Sequence, residues 1–148
     1  MSAKGLAGMS TATEKRDLGA GKRVVVADDA PFIRHIVCTK LRNAGYEAIP
    51  AADGEEALEL CRTEKPDLLI TDFQMPIMTG LQLCKHLRAS DKLRHIPAVM
   101  LTARGFEIDS EEMTAAGIAA VLAKPFSPRE LLEKVSELLG ASAAPGAP

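Results

Sequence analysis

Five polar residues sit where runs of apolar residues stop. Asp28 and Asp29 follow Val24 to Val26, Asp72 closes LLITD, Thr102 closes VMLT, and Lys124 closes AAVLAK just before Pro125. Three carboxylates gathered in one place repel one another, and protonation is favoured unless a cation is near. Lys124 supplies one positive charge, and a divalent cation would balance the rest. Oxygen donors in an open, partly hydrated site suit Mg²⁺, which uses one or two carboxylates and keeps several waters. The chemistry that fits such a set is phosphoryl transfer. It needs a carboxylate nucleophile, a metal on the phosphate, and Lys and Thr on the remaining oxygens.

These residues meet only if the runs that carry them are strands of one parallel sheet. RVVVAD, YEAIP, DLLITD, IPAVMLT and IAAVLAK read as five strands, and helices fill the intervals. Pro31 suits a first helical turn, Ile33, Ile36, Val37 and Leu41 follow at helical spacing, and Gly45 ends the element. Asp53 and Glu56 resemble a capping box for a helix through Leu60, with Pro66 as a breaker. The loop FQMPIMTG leads to a helix carrying Leu81, Leu83, Cys84 and Leu87. EEMTAAG is a short helix. Ser127, Pro128 and Glu130 start the last one, which runs to about Leu139.

Strands alternating with helices imply an α/β fold: a five-stranded, doubly wound parallel sheet with helices on both faces. Strands that read as continuous apolar runs are covered on both sides. The flavodoxin-like order 2-1-3-4-5 puts the first and third strands side by side, with the switch point between them. Ligands bind at the C-terminal rim of such a sheet, where all five polar residues fall.

The 148 residues suffice for one domain with a core, and 47% hydrophobic with 26% charged residues marks a globular chain. A formal net charge of -2 leaves no electrostatic footprint for nucleic acid, so no direct DNA binding is expected. Cys38, Cys61 and Cys84 have no metal-ligand spacing and read as reduced thiols, which suits a cytoplasmic protein. No apolar run approaches a membrane span, and the N-terminus lacks the apolar core of a secretory signal. Residues 1–22 and 141–148 are expected to be flexible tails around a domain at 23–140, neither tail large enough for an output domain. His35, His86 and His95 are scattered. Met75, Met78, Met100 and Met113 read as core or loop filling.

In order and at matching intervals, VVVADD, LLITDFQMPIMTG, VMLTA and AKPF resemble the receiver domain of two-component response regulators. The resemblance runs from Arg23 to about Leu139. It implies a stand-alone receiver that takes a phosphoryl group onto Asp72 from a histidine kinase or histidine phosphotransfer protein. Such a chain catalyses its own phosphorylation and dephosphorylation, turns over no external product, and signals by binding a protein target. Asp29 and Asp72 would bind Mg²⁺ directly, Asp28 through water, with the Gln74 backbone carbonyl as a further ligand. Thr102 and Lys124 would contact the phosphoryl group, and the Lys124–Pro125 bond would be cis. The family commonly has Tyr or Phe three residues before this lysine as a switch. Here it is Val121, so either output is expected through shifts around Ala103 to Glu112 or the switch is weak. Gln74 and Arg104, two residues beyond Asp72 and Thr102, would tune phosphoryl lifetime.

Each residue has a plainer reading. An Asp at 28 or 29 could cap the first helix, although one cap explains one Asp. Asp72 could be a solvated loop residue, Thr102 an ordinary strand end, and Lys124 a surface lysine in a turn. Gly80 suits a tight turn in any case. Two other functions compete: a degenerate receiver that binds proteins without phosphorylation, and a haloacid-dehalogenase-type phosphatase. The phosphatase reading expects a second Asp where Gln74 stands. A flavodoxin is disfavoured, because two aspartates in its phosphate loop would repel the phosphate.

Overall fold

A computed structural model describes residues 21–103 and 109–139. The strands are β1 (Arg23–Ala27), β2 (Glu47–Ala51), β3 (Leu68–Asp72), β4 (Ala98–Ala103) and β5 (Ile118–Lys124). They form one sheet in the order β2-β1-β3-β4-β5, every pairing parallel. The helices are α1 (Pro31–Asn43), α2 (Gly54–Glu64), α3 (Gly80–Arg88), α4 (Ser110–Ala115) and α5 (Pro128–Leu138). This is the architecture expected from the alternation of apolar runs and helical spacings.

Side-chain alternation divides the sheet into two cores. Val25, Ala27, Leu69, Ala98 and Met100 pack against Ala57 and Cys61 of α2 and Leu83, Cys84 and Leu87 of α3. Val24, Val26, Leu68, Ile70, Val99 and Leu101 pack against Val37, Cys38 and Leu41 of α1 and Leu131 and Val135 of α5. All three cysteines are free and buried, and burial pushes the Cys61 and Cys84 thiols up to about 12. They are apolar filling, not nucleophiles. Met75 and Met100 are buried in the first core, with Met78 and Met113 against it.

Several boundaries differ from the sequence reading. β1 ends at Ala27, leaving Asp28 just beyond the ladder, although its N–H still donates to the Ala51 carbonyl at 3.2 Å. β2 extends past Pro50 to Ala51, which an edge strand tolerates. Just before β1, the Lys22 carbonyl accepts the Glu47 N–H at 2.8 Å. α2 runs past Leu60 to Glu64, with Lys65 capping it in the left-handed region. Asp53 accepts the Glu56 N–H, but Glu56 reaches back to the Ala52 N–H, not to that of Asp53. The box at Ser127 and Glu130 is complete, and a second one at Thr79 and Gln82 starts α3. Apart from Gly21 and Lys22, the expected tails lie outside the described residues, as does Arg104.

Gly80 is required by close approach, not by turn conformation. A Cβ there would lie 2.3 Å from the Asp72 carbonyl oxygen and 3.0 Å from Met100 Sδ. The N-terminus of α3 is thus pressed against the end of β3, and the Gly80 N–H donates to the Phe73 carbonyl at 2.8 Å. At Gly54 a Cβ would meet Met78 Cβ at 2.9 Å and the Met78 carbonyl oxygen at 3.0 Å, a less severe approach than the 2.3 Å at Gly80. Urea unfolding should therefore show Gly80→Ala destabilising by about 1–3 kcal/mol, with a smaller loss for Gly54→Ala. Equal losses would mean that the β3–α3 contact is not tight.

Candidate functional site

The C-terminal ends of β1, β3, β4 and β5 share one rim. Asp72 continues the side-chain alternation of Leu68 and Ile70, and Lys124 that of Leu122. Register places Asp72 beside Leu101 and Lys124 beside Ala103, so both side chains leave the same face of the sheet. There Lys124 Nζ lies 2.7 Å from Asp72 Oδ1 and 3.4 Å from Asp28 Oδ2. Asp28, Asp29 and Asp72 each offer a carboxylate oxygen, and these oxygens lie within 4.8 Å of one another. The three aspartates and the lysine singled out by type are in mutual reach.

Their environments differ. Asp28 is 1% exposed and held from several directions. Its Oδ1 accepts the Ala30 N–H at 2.9 Å, its Oδ2 faces Lys124, and its backbone carbonyl accepts from Arg34 Nη1 at 2.7 Å. Asp72 is buried, while Asp29 is exposed. Thr102 is buried one strand away from Asp72, and its hydroxyl donates to the Ala103 carbonyl at a long 3.4 Å. Gln74 is exposed in the loop after β3. That loop turns tightly at Ile77, where φ is 71° and the Met78 N–H donates to the Pro76 carbonyl at 2.7 Å. A positive φ costs energy at a β-branched residue, so the loop path is imposed by its surroundings. The Lys124–Pro125 bond is cis. Val121 is on the outer strand β5, 37% exposed. The three histidines take no part in the cluster.

The electrostatics follow from this packing. Burial raises the Asp72 carboxyl above the ordinary aspartate range, and the charges of Asp28 and Asp29 add to the rise. The Lys124 hydrogen bond opposes it without cancelling it. Burial alone would lower the Lys124 ammonium, but its hydrogen bond to Asp72 and the charges of Asp28 and Asp72 leave it raised. One ammonium among three carboxylates leaves net negative charge in a partly dry place. The donors are all hard oxygens and one side is open to solvent, so the set fits Mg²⁺ better than a soft metal.

The sequence model described as the response regulator receiver domain matches residues 24–136. The chain belongs to that family. It is 34% identical over 119 residues to the polar-differentiation response regulator DivK of Brucella anthropi, covering 80% of this chain and 97% of DivK. It is 39% identical over 118 residues to the alkaline phosphatase synthesis transcriptional regulatory protein PhoP of Bacillus subtilis, covering 80% of this chain. The match spans 48% of PhoP, so the chain covers about half the length of that and similar curated relatives. Among solved structures, Vibrio cholerae chemotaxis protein CheY4 superposes with a TM-score of 0.75 at 36% identity, covering 81% of this chain and 100% of CheY4. The receiver domain of sensor histidine kinase PA1611 of Pseudomonas aeruginosa, with magnesium in its active-site cleft, gives 0.73 at 29% identity, covering 82% and 99%. Among the described residues no helix is long and apolar enough to cross a membrane.

The raised Asp72 carboxyl carries a stability consequence. In the folded chain its ionised form is disfavoured, so its contribution to stability is full below the unfolded-state value and is lost as pH rises through the folded-state value. Without divalent cations, Asp72→Asn should melt at a higher temperature than the parent at pH 7. The gain should shrink toward zero as pH falls below the carboxylate range. Thermal melts across that range check it, and a lower melting temperature for the variant at pH 7 would contradict it.

Proposed function

We propose that this chain accepts a phosphoryl group on Asp72 from a phosphohistidine of a partner kinase or phosphotransfer protein. The observation that supports this best is the Lys124 ammonium 2.7 Å from an Asp72 carboxylate whose own proton affinity is raised. An Asp72 oxygen attacks phosphorus in line with the P–N bond of the donor. The P–O bond forms, the P–N bond breaks, and the imidazole leaves with the electron pair and takes up a proton. The product is an acyl phosphate, and attack of water on its phosphorus returns the carboxylate and inorganic phosphate.

The residues divide this work by environment. Lys124 stays protonated beside the reacting oxygen and offsets the charge on the phosphoryl oxygens. Asp28 already spends both carboxylate oxygens on Ala30 and Lys124, which favours contact with a cation through water. That leaves Asp29, Asp72 and the Gln74 backbone carbonyl as direct ligands. Mg²⁺ held there would neutralise charge on the transferring group. Thr102 waits at the next strand end to donate to a phosphoryl oxygen. Gln74 is exposed two residues beyond Asp72 and can reach an attacking water, and Arg104 has the same role by its position.

The modified rim then changes a protein-binding surface. With Val121 in place of an aromatic side chain, the signal travels from Thr102 through the β4–α4 connection. The resulting phosphoprotein acts by binding a protein target in the cytoplasm, not by contacting DNA itself.

Intact-protein mass spectrometry after incubation with acetyl phosphate tests the central step. A single phosphoryl adduct is expected with Mg²⁺, and none with chelator or in Asp72→Asn. An adduct that survives Asp72→Asn would place the chemistry elsewhere. If no adduct forms and beryllofluoride does not bind either, the chain is a phosphorylation-independent binding module. Gln74→Ala should change adduct lifetime several-fold without changing the amount formed at saturation.

A further inference from the structure

A second concave site lies at the opposite end of the sheet. The cleft has a volume of about 540 Å³ and is lined by Arg62, Lys65, Ser90, Lys92 and Leu93. Arg62 is in the last turn of α2, Lys65 caps that helix, and the other three belong to the connection from α3 to β4. These segments lead into the N-terminal ends of β3 and β4, whereas the carboxylates follow the C-terminal ends. The two sites are separated by the length of the strands.

The cleft has three cations and no carboxylate among its lining residues. Several other basic groups are matched, although Lys22 and Arg88 also have no carboxylate within 4.0 Å among the described residues. Arg23 pairs with Glu47 and Glu64, Lys85 with Glu112, and Arg94 with Asp91. Arg62 has one loose partner, Glu59 at 3.4 Å, and both side chains are mostly exposed. Among the described residues, neither Lys65 nor Lys92 has a carboxylate within 4.0 Å. The helix dipole accounts for a cation at the end of α2, where Arg62 already stands. It does not account for Lys92, which is on no helix, or for both lysines bordering one concavity in a chain of net charge -2.

The remaining lining residues add what an anion with an organic body needs. Ser90 brings a hydroxyl donor, and Leu93, 4% exposed, forms an apolar floor. The volume is in the range of small-molecule sites. We propose that this cleft binds an organic phosphate of about mononucleotide size. Arg62, Lys65, Lys92 and Ser90 hold the phosphate, and the organic portion rests on Leu93. Occupancy of the cleft would tie the end of α2 to the α3–β4 connection, and so would stiffen the side of the molecule whose other end borders the Asp72 loop.

The test is an amide-resolved NMR titration of the full chain without divalent cations, using adenosine 5′-monophosphate, inorganic phosphate and adenosine as separate probes. The nucleotide should give saturable shifts at Lys65, Ser90, Lys92 and Leu93 with a dissociation constant of about 1 mM or tighter. Phosphate should bind more weakly at the same amides, and adenosine should not saturate. Lys65→Gln with Lys92→Gln should weaken the nucleotide at least tenfold, while Lys65→Arg with Lys92→Arg should retain it. Both variants should still accept a phosphoryl group on Asp72, which keeps this result separate from the function proposed above. Shifts that stay linear, persist in the double Gln variant, or centre on Lys124 would overturn the assignment. Saturable binding of a poly-glutamate peptide with none of the nucleotide would make the cleft a protein-docking site instead.

Discussion

A single ammonium group bridges two buried carboxylates at the rim of the sheet, and the local structure is arranged around that contact. Lys124 reaches Asp72 and Asp28 only because β5, β3 and β1 are parallel and in a register that sends all three side chains off one face. Asp28 is in turn fixed by the Ala30 N–H and by the guanidinium of Arg34 on its carbonyl. The end of β3 is clamped by α3, whose first residue has no side chain to keep the backbones apart. Without Lys124, two poorly hydrated carboxylates would face each other with no compensation, which a fold tolerates only by protonating one. With it the cluster is still short of positive charge, and that shortage is what the proposed cation would offset.

The same imbalance connects structure to chemistry. Asp72 carries a burial cost that the Lys124 hydrogen bond does not cancel. In the proposed reaction, a cation that neutralised this charge, or a phosphoryl group that spread it, would relieve a penalty already present in the chain. The opposite end of the sheet carries the converse arrangement, unmatched lysines around a cleft, so the molecule has an anionic and a cationic concavity at its two ends.

Much of this was legible in the amino-acid sequence, for a physical reason. Buried parallel strands are nearly pure apolar runs, so a polar residue at the end of one stands out. Asp28, Asp72, Thr102 and Lys124 could each be assigned to a strand end before any coordinates. Membership in the receiver family followed from those residues and their intervals. The cap at Ser127 was legible because Pro128 and Glu130 reinforce it. The equivalent cap at Thr79 was missed, although Thr79 and Gln82 have the same spacing, because Gly80 drew the reading toward a turn. The true reason for Gly80 is its contact with the Asp72 carbonyl, which depends on how α3 is laid against β3. The extension of α2 to Glu64 was hidden by the polar residues Arg62, Thr63 and Glu64. The difference in burial between Asp28 and Asp29 could not be read from a DD pair, since it depends on which one α1 and Lys124 enclose.

The account rests on an under-compensated Asp72 carboxyl, and the most direct test is its protonation followed by carboxyl ¹³C NMR as pH is varied, with and without Mg²⁺. The account predicts a midpoint above the ordinary aspartate range in the absence of metal. It also predicts a clear fall when Mg²⁺ is added. A midpoint at or below the ordinary range, unmoved by Mg²⁺, would mean that Lys124 already satisfies the cluster and that Asp72 is a structural partner of the lysine and not a reactive group.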